Sequence, residues 1–176
     1  MCIRDRNVSP RFVSLRTKYP RYTYKQLCEN TAIVYLPYQT STMSLFEQYS
    51  LGIPILVPAP IFLWKLHNKY DLVIERTWDR IRTGKRPTGS VIPGVKMGIP
   101  DPNNDRDKDA FLYWVRYADF YQWPHIVKFN SWAHLGRIID NTLWTTVSKD
   151  MISTSKDMFE KTKRNVLLNI NSPSMN

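Results

Sequence analysis

Two cysteines, Cys2 and Cys28, are too few for a disulfide framework, so the cysteine count does not argue for an oxidising compartment. Cys28 closes a predicted helix in "YKQLCEN" and is expected to be a small buried apolar group. Long hydrophobic runs are also lacking. None reaches the length that crosses a bilayer, and no apolar stretch follows the start as it would in a signal peptide. The compartment therefore stays open, with the cytoplasm as the default. Acid is in deficit, at 15 Asp and Glu against 25 Lys and Arg, which leaves a net charge of +10. Such an excess suits nucleic acid, anionic lipid or nucleotide phosphates. The basic residues are nevertheless scattered from Arg11 to Arg164 in small groups, the pattern of a solvated surface, and a nucleic-acid partner is not expected.

Several catalytic signatures are missing as well. No Gly-x-Ser-x-Gly elbow occurs, and "GKRPTG" (84–89) lacks the spacing of a phosphate-binding P-loop, although Lys85 and Arg86 are candidates to reach a phosphate. His67, His125 and His134 have neither metal-ligand spacing nor partnering cysteines, so no metal is expected. His125 opens a predicted strand and is read as a surface or packing residue. In "DPNNDRDKD", Asp101, Asn103 and Asp105 take positions 1, 3 and 5 of an EF-hand-like loop. Arg106 stands where glycine is needed and Leu112 where glutamate should close the site, which argues for a solvated loop with Asp109 or a neighbour capping the next helix.

What is present is a rhythm of short apolar runs and helical stretches. A short helix is predicted to end near Asn30, and "TAIVYLPY" then reads as a strand buried on both faces. Thr42–Leu51 reads as a helix with Met43, Phe46 and Leu51 toward the core, stopped by Gly52 and Pro54. "IPILVPAP" follows as a second buried strand. A strand, a helix and a strand this close together form a βαβ unit with parallel strands. Residues 61–82 have a helical pattern, and 83–109, with four of the six glycines, form a long loop insertion. "AFLYWVRYADFYQW" returns to helix, with Phe111, Trp114, Val115 and Ala118 as its core stripe rather than a base-stacking platform. "HIVKF" is a third strand, Ser131 caps another helix, and 145–170 form a long amphipathic helix before the disordered tail 171–176. The fold class is α/β, a Rossmann-like parallel sheet flanked by helices with a long C-terminal helix. Residues 7–170 make a single domain. The leader "MCIRDR" (1–6) resembles translated adapter sequence found on unrelated chains and is set aside, which implies that the natural N-terminus is missing.

The stretch "PYQTSTMS" lies where this unit leaves its first strand, the edge at which open α/β sheets bind ligands. Backbone amides of Ser41, Thr42 and Met43 are candidates to hold a phosphate, helped by the hydroxyls of Thr40, Ser41 and Thr42. Glu47, one turn further in, is a candidate for ribose hydroxyls. The competing reading is structural: Ser44-Leu-Phe-Glu47 fits a capping box, which would occupy the cap donors.

"TSTMSLFEQYSLGIPILVP" resembles the donor-site unit in the C-terminal domain of GT-B glycosyltransferases, and "DFYQWPHIVKFNSWAHLGRII" is similar to the stretch that completes that domain's edge. The likeness covers about residues 25–60 and 115–165. It implies half of a GT-B fold, acting in transfer of a sugar from a nucleotide-sugar donor, with Ser41, Thr42 and Met43 at the diphosphate, Glu47 at the ribose, and Gln39 and Thr40 at the sugar or distal phosphate. Retaining members often carry two acids eight residues apart here. Glu47 matches the second, but the first position is Gln39, an amide without negative charge. The resemblance implies no cofactor beyond the nucleotide-sugar substrate, and a separate N-terminal acceptor domain without which the chain would not turn over. The alternative from another class is a non-catalytic α/β domain that binds polyanions or a protein through its basic surface.

Overall fold

A computed structural model describes residues 12–73, 82–83, 99–102, 104 and 107–171. The expected tail after Asn171, most of residues 83–109 with the "GKRPTG" segment, and Asn103, Asp105 and Arg106 of the acidic stretch lie outside the described residues.

The helices α1 (Leu15–Lys18) and α2 (Tyr24–Cys28) lead into β1 (Ile33–Val34). The chain continues through α3 (Met43–Ser50), β2 (Ile55–Pro58) and α4 (Pro60–Tyr70). Further along the chain come α5 (Lys108–Val115), α6 (Asp119–Gln122), β3 (Val127–Phe129), α7 (Trp132–Asn141) and the long α8 (Trp144–Asn171). The sheet has the order β1-β2-β3, with both pairs parallel: Ile33 faces Ile55, and Leu56 faces Val127.

All four residues of β2 are buried, which explains its uninterrupted apolar sequence. Successive side chains point to opposite faces. Ile55 and Val57 join a core with Leu45 and Tyr49 of α3, Leu63 of α4, Phe111 of α5, Phe120 of α6 and Met151 of α8. Leu56 joins the second core, with Phe129 and with Leu135 of α7. Both crossovers thus cover one face and α7 the other, giving three layers. In α8, Trp144 packs with the second core while Val147 and Met151 pack with the first, so the helix passes from one face to the other.

Several sequence expectations are corrected. β1 is not buried on both faces; it is a half-buried edge strand of two residues, since only β2 pairs with it among the described residues. In α3 the core face carries Leu45, Gln48 and Tyr49, while Met43 is 75% and Leu51 39% exposed. Phe46 is half-buried against Trp123, ring centroids 4.8 Å apart. The buried Gln48 disguised the true stripe, because a polar residue breaks the apolar spacing that fixes the helix phase. Cys28 is exposed, not buried. The helix predicted over 61–82 ends at Tyr70, where Asp71 adopts the left-handed conformation and its N–H bonds to the His67 carbonyl at 2.7 Å. The helix expected from Ala110 to Trp123 divides at Arg116–Ala118, since Ala118 is extended.

Other expectations hold. Asp107 caps α5 through the N–H groups of Asp109 and Ala110, and Ser131 caps α7 through the N–H of His134 at 3.1 Å. Gly52 has φ +68 and ends α3, as its place before Pro54 requires. A Cβ there would run into the Ile152 side chain and come within 3.1 Å of the Ser148 carbonyl on α8. Gly52→Ala therefore combines left-handed strain with a clash, and the expected loss is about 2 kcal/mol or more in urea unfolding. A loss under about 0.5 kcal/mol would contradict this account of the turn.

Candidate functional site

Because the strands are parallel, β1, β2 and β3 all exit at the same edge, and the helices that follow them begin there. The three helix starts differ. α7 is capped by the Ser131 side chain. α4 opens with Pro60, which brings no N–H of its own. α3 opens at Thr42 and, like α4 at Ala59, has no side-chain cap; the Leu45 N–H bonds to the Thr42 carbonyl at 3.1 Å, and the earlier first-turn N–H groups of α3 remain available to a ligand.

The capping box expected at Ser44 and Glu47 does not form. The helix starts at Met43, which makes Thr42 the N-cap and puts Glu47 two positions too far along to fold back on it. A capping box does exist in the chain, between Thr23 and Gln26 at α2. Glu47 is exposed and faces the Tyr24 hydroxyl instead. The carboxylate accepts from that phenol, and this hydrogen bond, with the carboxylate's charge, holds the Tyr24 proton more tightly than usual.

The remaining elbow residues separate into inward and outward groups. Thr42 is 4% exposed and its hydroxyl is paired with the Tyr35 hydroxyl at 3.1 Å, so it offers a ligand its amide but not its side chain. Ser44 Oγ donates to the same Thr42 oxygen at 3.5 Å. Thr40, Ser41 and Met43 are exposed. Gln39 is half-buried, and its amide donates to the Tyr38 hydroxyl at 3.4 Å. The segment from Gln39 to Met43 thus presents outward-facing groups above a floor made by Tyr35 and Thr42.

Beneath and beside the elbow lies α6, which sequence reasoning did not place there. The Asp119 N–H donates to the Thr40 carbonyl at 3.4 Å, and Phe120 packs on Tyr35 with ring centroids 6.0 Å apart. Asp119 Oδ2 is enclosed and has no hydrogen-bond partner among the described residues. The Tyr121 hydroxyl donates to the Pro58 carbonyl at the exit of β2. One turn of helix therefore ties the exits of β1 and β2 together. No spacing in the sequence marks Asp119 as a neighbour of Thr40, because the contact spans two crossovers.

The histidines play structural parts. His67 is fully buried and accepts from the Val73 N–H at 3.2 Å; the His134 ring accepts from the Asn130 N–H at 3.1 Å. His125 is exposed, has φ +63, and its Nε2 pairs with Thr154 Oγ1 at 3.0 Å. No group of three metal-ligating side chains occurs among the described residues. Two surface grooves of about 470 and 230 Å³ lie along α8 beside Ser50, at the far end of α3 from the elbow.

Comparison with protein-family models, with curated proteins and with solved structures finds no match.

Burial raises the pKa of Tyr35 and Tyr49 above the ordinary value, with hydrogen bonds from Thr42 and Thr154 opposing it, and burial alone raises that of Tyr121 further. These phenols stay neutral in the folded protein at pH values where an unfolded chain would ionise them. Their contribution to stability is intact below about pH 10 and is lost as pH rises through their folded values. An alkaline titration should show their ionisation coinciding with loss of helical circular dichroism. Ionisation of all ten tyrosines as a single class, with the fold retained, would contradict the burial of these three.

Proposed function

We propose that this chain is the donor-binding half of a glycosyltransferase-like protein of GT-B architecture, holding a nucleotide sugar at the exit of β1. The observation that carries the reading is the uncapped start of α3 at the carboxyl edge of a parallel sheet. The one structural competitor for those donors, the Ser44–Glu47 box, is not formed.

In this reading the amides of Ser41, Thr42 and Met43 hold the diphosphate, where aligned N–H groups and the helix dipole favour negative charge. Glu47 is exposed one turn into α3, where it accepts from ribose hydroxyls in exchange for Tyr24. Gln39 and Thr40 face the sugar or the distal phosphate. The negative charge that Gln39 does not carry has a nearby source in Asp119, whose backbone is bonded to Thr40. The protein contributes to reaction mainly by positioning and by stabilising the departing diphosphate through oriented donors. The acceptor and any general base come from a separate domain.

Saturation-transfer NMR with UDP, GDP and their sugar derivatives tests the reading, and one substitution isolates the amides. Met43 is the first residue of α3, a position where proline is well tolerated, and Thr42 before it is already extended at φ −139, ψ 137. Met43→Pro should keep the fold while removing one N–H donor, and should weaken nucleotide binding by about tenfold, the loss of one charge-assisted hydrogen bond. Glu47→Ala should weaken a nucleoside diphosphate but not inorganic pyrophosphate. Absence of binding to every nucleotide, or unaltered binding by Met43→Pro, would overturn the proposal.

A further inference from the structure

α5 buries Ala110, Phe111 and Val115, and it also carries a group of aromatic residues that belong to neither core. Tyr113 and Tyr117 stand about one helical turn apart, with ring centroids 6.0 Å from each other. Trp114 packs edge-on to Tyr113 at 5.1 Å and lies 6.2 Å from Tyr117, so the rings form a continuous row. Tyr117 is 54% exposed, while Tyr113 and Trp114 are half-buried. Arg116 lies over two of these rings, 4.2 Å from the Tyr113 centroid and 4.7 Å from that of Tyr117. One of its N–H groups donates to the Tyr117 hydroxyl at 2.8 Å. The side chain is exposed, so the rest of the guanidinium fork is open to a ligand.

This row already holds part of its own chain. The Trp114 indole N–H donates to the Pro100 carbonyl at 2.7 Å. Pro100 begins the sequence Pro100-Asp101-Pro102, and the turn that follows is closed by the Asn104 N–H on the Asp101 carbonyl at 3.1 Å. Proline fixes its own φ and holds the residue before it extended, so such a segment loses little freedom on docking. It also presents carbonyl acceptors while bringing few N–H groups that need partners. An indole N–H set among phenol rings is the complement, a single donor beside flat apolar surface.

We propose that Tyr113, Trp114, Arg116 and Tyr117 form a site for an extended, proline-rich peptide bearing an acidic residue, which the chain's own Pro100–Pro102 segment fills. The chemistry of the occupant follows from the segment seated there, a proline carbonyl on the Trp114 donor. The acid follows from the charge of Arg116 beside the rings, and Asp101 stands between the two prolines of that segment. A partner helix fits less well, because its carbonyls are spent within it and the indole N–H would lose its acceptor. Base stacking by single-stranded nucleic acid needs free ring faces, and Arg116 covers a face of both Tyr113 and Tyr117. Since the segment occupies the site from within, a peptide from outside binds with an affinity reduced by the filled fraction. Nothing in this inference depends on the nucleotide-sugar reading.

NMR titration of the full chain with the capped peptide IPDPNN, the sequence of residues 99–104, tests the proposal through the Trp114 indole N–H signal. Pro100→Gly with Pro102→Gly loosens the resident segment, and this opened chain should bind the peptide at least tenfold more tightly than the wild type. In the opened chain, Trp114→Phe should weaken binding about fivefold, the loss of one hydrogen bond. Arg116→Glu should weaken IPDPNN by about fivefold or more and leave IPNPNN within about twofold. Failure of the opened chain to bind at millimolar peptide would overturn the proposal. Equal binding of the proline-free IADANN, or equal affinity in the wild-type and opened chains, would overturn it as well. Tighter binding of a short oligothymidylate at the same rings would assign the row to base stacking instead. Neither proline lies in a core, so the circular dichroism of the opened chain should match the wild type. Should it not, the Arg116→Glu comparison in the wild-type background decides, and indifference of IPDPNN to that change sinks the idea.

Discussion

The structure depends on burying β2 from both sides at once. Four residues, Ile55 to Pro58, are all buried, and their alternation sends Ile55 and Val57 to one core and Leu56 to the other. Each large aliphatic side chain so buried contributes about 1.5–3 kcal/mol, but only if helices cover both faces. The sequence order β1-β2-β3 with parallel pairing places both crossovers on the first face, so the second must be covered by something that comes later. α7 does that, and α8 then returns to the first face to close the core around Met151. Gly52 is where these demands meet, since α8 crosses too close to that turn for any side chain.

The parts of this design that were legible in the sequence are those fixed by local chemistry. The Gly52 stop, the Ser131 cap, the unbroken apolar run of β2 and the parallel βαβ unit all follow from neighbours in the chain, and the structure contains each of them. The misreadings share a different cause. The face of α3 was assigned from Met43, Phe46 and Leu51, whereas the buried stripe runs through Gln48, a polar residue that is only 6% exposed. Cys28 was assigned by residue type alone and is exposed because the helix that carries it is a single turn buried only at Leu27. Asp119 was invisible as part of the elbow, because its bond to Thr40 joins positions far apart in the chain.

The elbow shows how a shift of two residues in a helix start alters chemistry. With Ser44 as the cap, Glu47 would have satisfied the cap N–H and Ser44 an amide of the first turn, leaving little for a ligand. With Thr42 as the cap, the inward hydroxyl is consumed by Tyr35, and α3 begins without a side-chain acceptor for its amides. The tertiary contact decides the matter: the Tyr35 hydroxyl needs a partner in a partly buried place, and an unpaired one there would cost about 1–3 kcal/mol. Satisfying the core has left the surface donors open.

An anion at those donors would meet opposing fields. The start of α3 supplies roughly half a positive charge, while Glu47 and Asp119 each carry a carboxylate. Counted as point charges, the site would repel a phosphate. Hydrogen bonds to an ionised oxygen, however, contribute about 1.5–3 kcal/mol each, whereas an exposed carboxylate near 4 Å in water costs only about 1 kcal/mol. Two aligned amides therefore outweigh Glu47. The carboxylates still discriminate among anions, since each gains a hydrogen bond from a neighbouring hydroxyl and loses energy against a neighbouring phosphate. A diphosphate flanked by ribose and sugar hydroxyls satisfies amides and acids together. A nucleic-acid backbone or an inorganic polyphosphate sets further negative charge where Glu47 and Asp119 already stand. The proposed nucleotide-sugar reading rests on that balance at the exit of β1.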